Sequence, residues 1–442
     1  MTKRLLLVVV AALIVVALIL VNLPLQRHFS RVEQALEQAK TDRAELYSRA
    51  IDPAQNGYLN PELLPYWGPD KVDNPVAPVM DAWVEGYASV EHDQTVDHQA
   101  LQAARDPAYL QARARLEQIL PSVREALARP VFAQPVDHYD ADAKTINFGA
   151  VRKLALALCA HAETLLAEGQ DQAASEDLLM TFELGYKLTG EKTILNQMMG
   201  VAAQQIALEG INHLLTPERD FSGSEVGRRL LESTLAEGQF RRCMGAEMLF
   251  FEEALDPGVL SQSPGLARLP FFLKRERRIY HARMESLLAD IDEGRPVTPL
   301  RGDFSWGRWL MGQDGILANI MTPNYVGSTQ VLDRCRRLSA GTAAAAAITG
   351  FLQRQHRLPD QLSQLDLSAL EGLAWDSEAF SYEKTDNGAR LTVVLPEPER
   401  QDPLPTLNYP ASDYFHYVPE GYRWEWKTSS PARPTGAPPS HP

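Results

Sequence analysis

Several short stretches of this chain bring together side chains that could do chemistry. "GYKLTGEKT" (residues 185–193) imitates a phosphate-binding loop, in which backbone amides and a lysine cradle an anion. It has one residue too many between Gly190 and Lys192, and it follows a helical pattern where such a loop must follow a strand, so it reads as a helix–helix turn. "EHDQTVDH" (91–98) and "DHYDAD" (137–142) concentrate imidazoles and carboxylates of the kind that ligate metals. Their spacing fixes no geometry, and both read as solvated loop. Glu163, Glu183, Glu247 and Glu252 lie within helical patterns and could pair as general acid and base. Glu247, among Ala246, Met248 and Leu249, is expected to be partly buried in an ion pair with Arg241 or Arg242. No G-x-S-x-G elbow, H-E-x-x-H pair or glycine-rich dinucleotide turn occurs. Cys159, Cys243 and Cys335 are far apart and read as packing residues. No catalytic, cofactor-binding or metal-binding residue is therefore assigned.

Two further groups could bind without reacting. "LARLPFFLKRERR" (266–278) could dip Phe271, Phe272 and Leu273 into lipid while Lys274, Arg275, Arg277 and Arg278 meet anionic headgroups; core packing with a solvated basic face is the plainer reading. Tyr414, Phe415, Tyr417, Tyr422, Trp424 and Trp426 could stack on a glycan, or simply stabilise a small sheet by cross-strand pairing.

The elements that must position these residues are mostly helical. The chain has 442 residues and a net charge of −14, which repels phosphate backbones and argues against nucleic-acid binding. Residues 5–23 are an uncharged run spanning roughly 28 Å as a helix, enough to cross a bilayer core. No small-residue cleavage site follows, so an uncleaved single-pass anchor is expected over 1–29. The basic residues flanking it do not fix its orientation; a body outside the cytoplasm is the ordinary product of a short N-terminal anchor.

Residues 30–49 read as a stalk helix with a thin stripe of Val32, Leu36, Ala39 and Leu46. A Pro-, Asn- and Gly-rich loop follows over 51–78. An amphipathic helix near 106–130 carries Leu110, Ala114, Leu116, Ile119 and Leu120 and is expected to bend or break at Pro121. From 148 to 357 a helical body is expected. "LAEGQ" occurs at 166–170 and again at 235–239, an offset of 69 residues. Its glycine suits a positive-φ helix C-cap, so both copies read as reversals between antiparallel helices in a helical-hairpin array. The last long helix is expected over 331–357, ended by Pro359. Residues 358–427 change to strand patterning, with a hairpin at Asn387-Gly388 and a second ending in "YRWEWK". The tail 428–442 reads as disordered.

This order of parts, with "ALALCAHAETLLAEGQDQAASEDLLMTFELG", "CMGAEMLFFE" and "AAAAITGFLQRQHRLPDQLSQL", resembles uncharacterised, N-terminally anchored helical proteins of Gram-negative bacteria. The helix, Leu-Pro turn and hairpin "FSYEKTDNGARL" are also similar to pseudopilin heads. The chain lacks the prepilin Gly–Phe cleavage junction and the Asp-Pro-hydrophobic-Gly turn, which argues against assembly into a pilus. The resemblance implies an inner-membrane protein with a periplasmic body. The expected fold is mainly α, with one transmembrane helix, a helical-hairpin array and a small C-terminal antiparallel β element packed on the body. The expected role is a cell-envelope scaffold or interaction protein without catalytic activity, with the membrane and a protein as partners. The alternative is an envelope hydrolase or a glycan-binding protein with an unrecognised site.

Overall fold

The computed structural model describes residues 29–67, 107–135, 148–191, 193–216, 218–219, 221–233, 238–255, 270–293, 295, 317–318, 325–365, 380–385, 388–395, 415–418 and 421–427. The apolar run 5–23, the His- and Asp-rich stretches 91–98 and 137–142, and the tail 428–442 lie outside them. No helix among the described residues is long and apolar enough to cross a membrane. The protein is mainly helical with a small antiparallel sheet. The helices are α1 Ser30–Ala50, α2 Pro107–Ala128, α3 Phe148–Ala167, α4 Asp171–Leu188, α5 Ile194–Leu214, α6 Gly223–Glu232, α7 Gln239–Ala254, α8 Pro270–Asp292 and α9 Tyr325–Gln355, with a single turn at Leu64–Trp67. The strands are β1 Phe380–Thr385, β2 Gly388–Val394, β3 Phe415–Val418 and β4 Gly421–Lys427, in spatial order β1-β2-β4-β3.

The α3–α4 reversal forms where the glycine pattern places it. Gly169 has φ +72°, Gln170 N–H donates to Leu165 O at 2.8 Å, and Gly169 N–H donates to Leu166 O at 3.1 Å. These two bonds make a Schellman cap, which satisfies carbonyls that the helix end would leave open. α5 then starts at Thr193, whose hydroxyl accepts from Asn196 N–H. α4 and α5 touch backbone to backbone: a Cβ on Gly185 would lie 2.5 Å from the Gly200 carbonyl oxygen.

The second "LAEGQ" also has a left-handed glycine, Gly238 at φ +77°, but it is the N-cap of α7 and not the expected C-cap, since α6 already ends at Glu232, and the two helices take other partners. α6 lies on α9, and α7 lies on α1 and α8. The hairpin array therefore does not continue in chain order. α5 has α9 as its neighbour instead. The reason is the small-residue surface of α9. A Cβ on Gly223 would meet Ala346 O at 2.4 Å, and one on Gly227 would meet Ala343 O at 2.9 Å, so α6 approaches α9 more closely than any larger residue allows.

α9 starts at Tyr325, six residues earlier than the expected 331, because Tyr325 is buried in a second hydrophobic cluster. α2 runs through Pro121 without ending. Its buried side is Tyr109, Ala112, Leu116, Leu120, Val123 and Leu127 at three- and four-residue steps, whereas Leu110, expected inside, is 48% exposed.

The apolar interior has two parts. The first joins α2 to α6, α9 and the sheet. Its sheet face carries Leu391 and Val393 of β2 paired with Trp424 and Tyr422 of β4. Gly341 of α9 lets Trp424 and Val393 close onto the helix, and Trp424 Nε1–H donates to Asn212 Oδ1 of α5 at 2.8 Å. The second part joins α1, α7 and α8 around Met244, Met248, Met284 and the stacked Phe251–Tyr280 pair.

α1 does not stand clear of the body as a stalk would. Val32, Ala35 and Ala39 are buried, and Gly245 of α7 sits against the Ala35 carbonyl. Glu285 of α8 accepts from the backbone N–H of Arg31 and Val32 at 3.1 and 3.0 Å, capping the start of α1. Beyond α1, Asn56 clips the following loop to the end of α2. Its Nδ2 donates to Ala50 O and Ala133 O, and its Oδ1 accepts from Tyr58 N–H and Ala133 N–H.

Candidate functional site

A partly buried array of titratable groups lies where α2, α3 and α4 meet. His161 of α3 is 2% exposed and Asp177 of α4 is 1% exposed. Each is eight residues from Gly169 along the chain, so the Schellman reversal sets them opposite one another. His161 Nδ1 lies 2.5 Å from Asp177 Oδ2, and Nε2 lies 3.3 Å from Glu117 Oε1 of α2. Arg113 donates through Nε to that same Glu117 oxygen at 2.8 Å and through its two terminal nitrogens to both oxygens of Glu168, at 2.6 and 3.0 Å. Tyr109 OH and Thr164 Oγ1 are 2.5 Å apart beside them.

The electrostatics follow from these contacts. Burial pushes the Glu117 carboxyl up, but hydrogen bonds from Arg113 and His161 outweigh it and hold the group below the ordinary carboxylate range. Glu168 is also held low, chiefly by Arg113. Burial raises the Tyr109 phenol.

An aspartate on Nδ1 is the orienting half of an acid–base dyad, and such a dyad works through a free Nε2. Here Nε2 faces Glu117, itself held by Arg113. The array thus ties three helices together through charge-assisted hydrogen bonds. Composition and local motif did not point to this site. The one signal that could have found it is the equal distance of His161 and Asp177 from the turn glycine.

The four helix carboxylates flagged in the sequence go to separate places. Glu163 is buried on α3. Glu183 accepts from Arg229 Nε at 2.9 Å, and Glu176 accepts from Arg229 NH1 at 2.7 Å, which ties α6 to α4. Glu252 holds Arg277 at 2.8 Å and His281 at 2.7 Å. Glu247 is not paired with Arg241 or Arg242. It accepts from Ile194 N–H at 2.7 Å, the first residue of α5, while Arg241 pairs with Asp292. Ile194 offers an N–H that the helix itself cannot use, and it sits within reach of α7. Burial pushes the Glu247 carboxyl up against this single bond.

The remaining candidates resolve as packing or turns. "GYKLTGEKT" runs from the end of α4 through a 3-10 turn, Thr189–Glu191, to α5. Lys187 Nζ donates to Arg129 O, and burial lowers its ammonium. Phe272 and Leu273 are buried in the second cluster, so they form no lipid wedge. Tyr422, Trp424 and Trp426 face α9 and are at most 2% exposed, which leaves these three rings no surface for stacking on a glycan. The thiols of Cys159, Cys243 and Cys335 are all raised by burial, that of Cys335 to about 12. Among the described residues, no group of His, Cys, Asp and Glu is arranged to hold a metal ion.

The fold and these clusters define a mainly helical protein with a small antiparallel sheet and charged ties between helices. Comparison with family models, curated proteins and solved structures gives no match.

Proposed function

We propose that this protein is a single-pass, membrane-anchored scaffold or interaction protein of the cell envelope, without catalytic activity, in the inner membrane of a Gram-negative bacterium with its body in the periplasm. Residues 5–23 are its transmembrane helix, and the helical body presents its surface to a protein partner. The observation that carries this reading is the docking of α1. This helix begins seven residues after the apolar run, and Glu285, Gly245 and the Arg43–Glu253 pair fix it to α7 and α8. A docked α1 places the end of the chain that leads to residues 5–23 at one fixed point of the body, which suits a scaffold.

The test uses the full chain in its native membrane. The protein should stay in the pellet after alkaline carbonate extraction, and a chain lacking residues 1–28 should be released. In spheroplasts, added protease should digest the body. Release of the full chain by carbonate would refute the anchor. A body protected from protease until the membrane is broken would place it on the cytoplasmic side and refute the periplasmic assignment.

A further inference from the structure

We infer that one face of α8, carrying Lys274, Arg277, Arg278 and His281, rests on the headgroups of anionic lipid. The inference rests on the anchored reading above. These four residues follow the i, i+3, i+4, i+7 spacing and so share one side of the helix. The opposite side, with Phe272, Leu273, Glu276, Ile279, Tyr280 and Met284, is buried in the second cluster or beside it. The basic face is partly open: Lys274 is exposed and Arg278 half-buried, while Arg277, 41% exposed, and His281, 17% exposed, both meet Glu252, which leaves Lys274 and Arg278 as the main lipid-facing cations.

Position adds a second, independent argument. The stripe ends at His281, whose ring lies edge-on to Phe29 with centroids 6.0 Å apart. Phe29 is the first described residue after the apolar run, and only residues 24–28 lie between them. That segment reaches roughly 20 Å at full extension. Lys274 is seven residues upstream of His281, about 10 Å along the helix. His281 is therefore the end of the stripe nearest Phe29, the described residue closest in sequence to the apolar run, and Lys274 lies farther along α8. A chain of net charge −14 is repelled by an anionic leaflet, so local cations at the exit point determine whether this end of the body can lie against it. Because Phe272 and Leu273 are committed to the core, the contact is electrostatic and not an insertion.

The experiment reconstitutes the full chain into lipid nanodiscs of two compositions, one containing phosphatidylglycerol and one of phosphatidylcholine alone. Amine acetylation is read by mass spectrometry at Lys274, with exposed Lys153 of α3 as the internal reference. Lys274 should react about fivefold more slowly in the anionic discs than in the zwitterionic ones, with Lys153 unchanged. Arg278→Glu should remove most of that protection without shifting the melting temperature. Equal reactivity of Lys274 in the two discs, with the chain present in both, would overturn this inference and leave the anchor standing. A chain that does not enter either disc would overturn the anchored reading and this inference with it.

Discussion

Gly169 and Gly238 share a left-handed conformation and the same "LAEGQ" sequence, yet the first closes the end of α3 and the second opens α7. The first reverses the chain inside one core, laying α4 back along α3. The second passes the chain from the first core to the second: α6 ends against α9, and α7 begins against α1. A turn sequence sets a local backbone reversal and nothing more. Which neighbour a helix then chooses depends on its surface. α6 offers Gly223 and Gly227 to the alanines of α9, and α7 offers Gly245 to Ala35 of α1. Both cores combine close-packed small residues with charged ties. The first adds the sheet, whereas the second is clasped at its rim by Arg31 and Arg241 converging on Asp292 and by Arg43 on Glu253.

The largest effect should come from the residue that locks the sheet onto the first core. Trp424→Ala removes a side chain that is 1% exposed and leaves Asn212 Oδ1 with only the longer bond from Thr342, so a loss of about 3–5 kcal/mol is expected in chemical denaturation. If the cores are separately clasped, amide exchange should accelerate first in α9 and the sheet, before α1 and α7. Asn56→Ala should cost about 2–4 kcal/mol, because two carbonyls and two N–H groups at the junction of α1 and α2 lose their partner. Its effect should appear in both regions, since it links them.

The turn glycines provide a sharper comparison. A Cβ at Gly169 or Gly238 would meet nothing within 4 Å, so substitution there costs backbone strain alone. Gly169→Val and Gly238→Val should each lower stability by roughly 1 kcal/mol or somewhat more, and by similar amounts. Markedly unequal melting shifts would show that the left-handed glycine carries a different strain at the C-cap of α3 than at the N-cap of α7.

The smallest effects concern pH and run in opposite directions. Burial, with Arg219 adding to it, pushes the His213 imidazole of the first core from 6.5 down to about 4. A depressed histidine contributes stability that is complete above pH 6.5 and is lost as pH falls toward 4. Glu247 at the edge of the second core is raised above its ordinary 4.5, so its contribution is complete below that value and is lost as pH rises through the raised value. His213→Gln should flatten the fall in melting temperature on acidification. Glu247→Gln should raise the melting temperature by roughly a few degrees at neutral pH and lose that advantage near pH 4.5.

How much of this could be read from the chain depends on how each contact is made. The helices, the turn at Gly169 and the alternating Tyr422, Trp424 and Trp426 were legible because periodicity and a glycine signal carry them. The docking of α1 was not. Its contact with α7 runs through Ala35, Ala39 and the bare backbone of Gly245, which leave almost no hydropathy signal, so the helix resembled a solvated stalk. Phe272 and Leu273 beside four basic residues read first as core packing, which the second cluster bears out, and a lipid wedge stayed open because a one-sided apolar pattern is the same whether a core or a bilayer covers it. The His161 array was hidden for a different reason. Its members come from three helices, and only the reversal at Gly169 makes His161 and Asp177 neighbours.

The central claim is that α1 belongs to the second core and is not a free stalk. Hydrogen exchange of the full chain in detergent or lipid tests it most directly, read at the amides of Val32, Ala35 and Ala39 against those of Met244 and Met248 in α7 and Met284 in α8. The account predicts that the α1 amides are protected to the same degree as their partners and lose protection together with them in Gly245→Leu, where the new side chain would strike the Ala35 carbonyl. Amides of α1 that exchange far faster than those of α7 and α8 would contradict it, and would return residues 30–50 to the role of a free stalk.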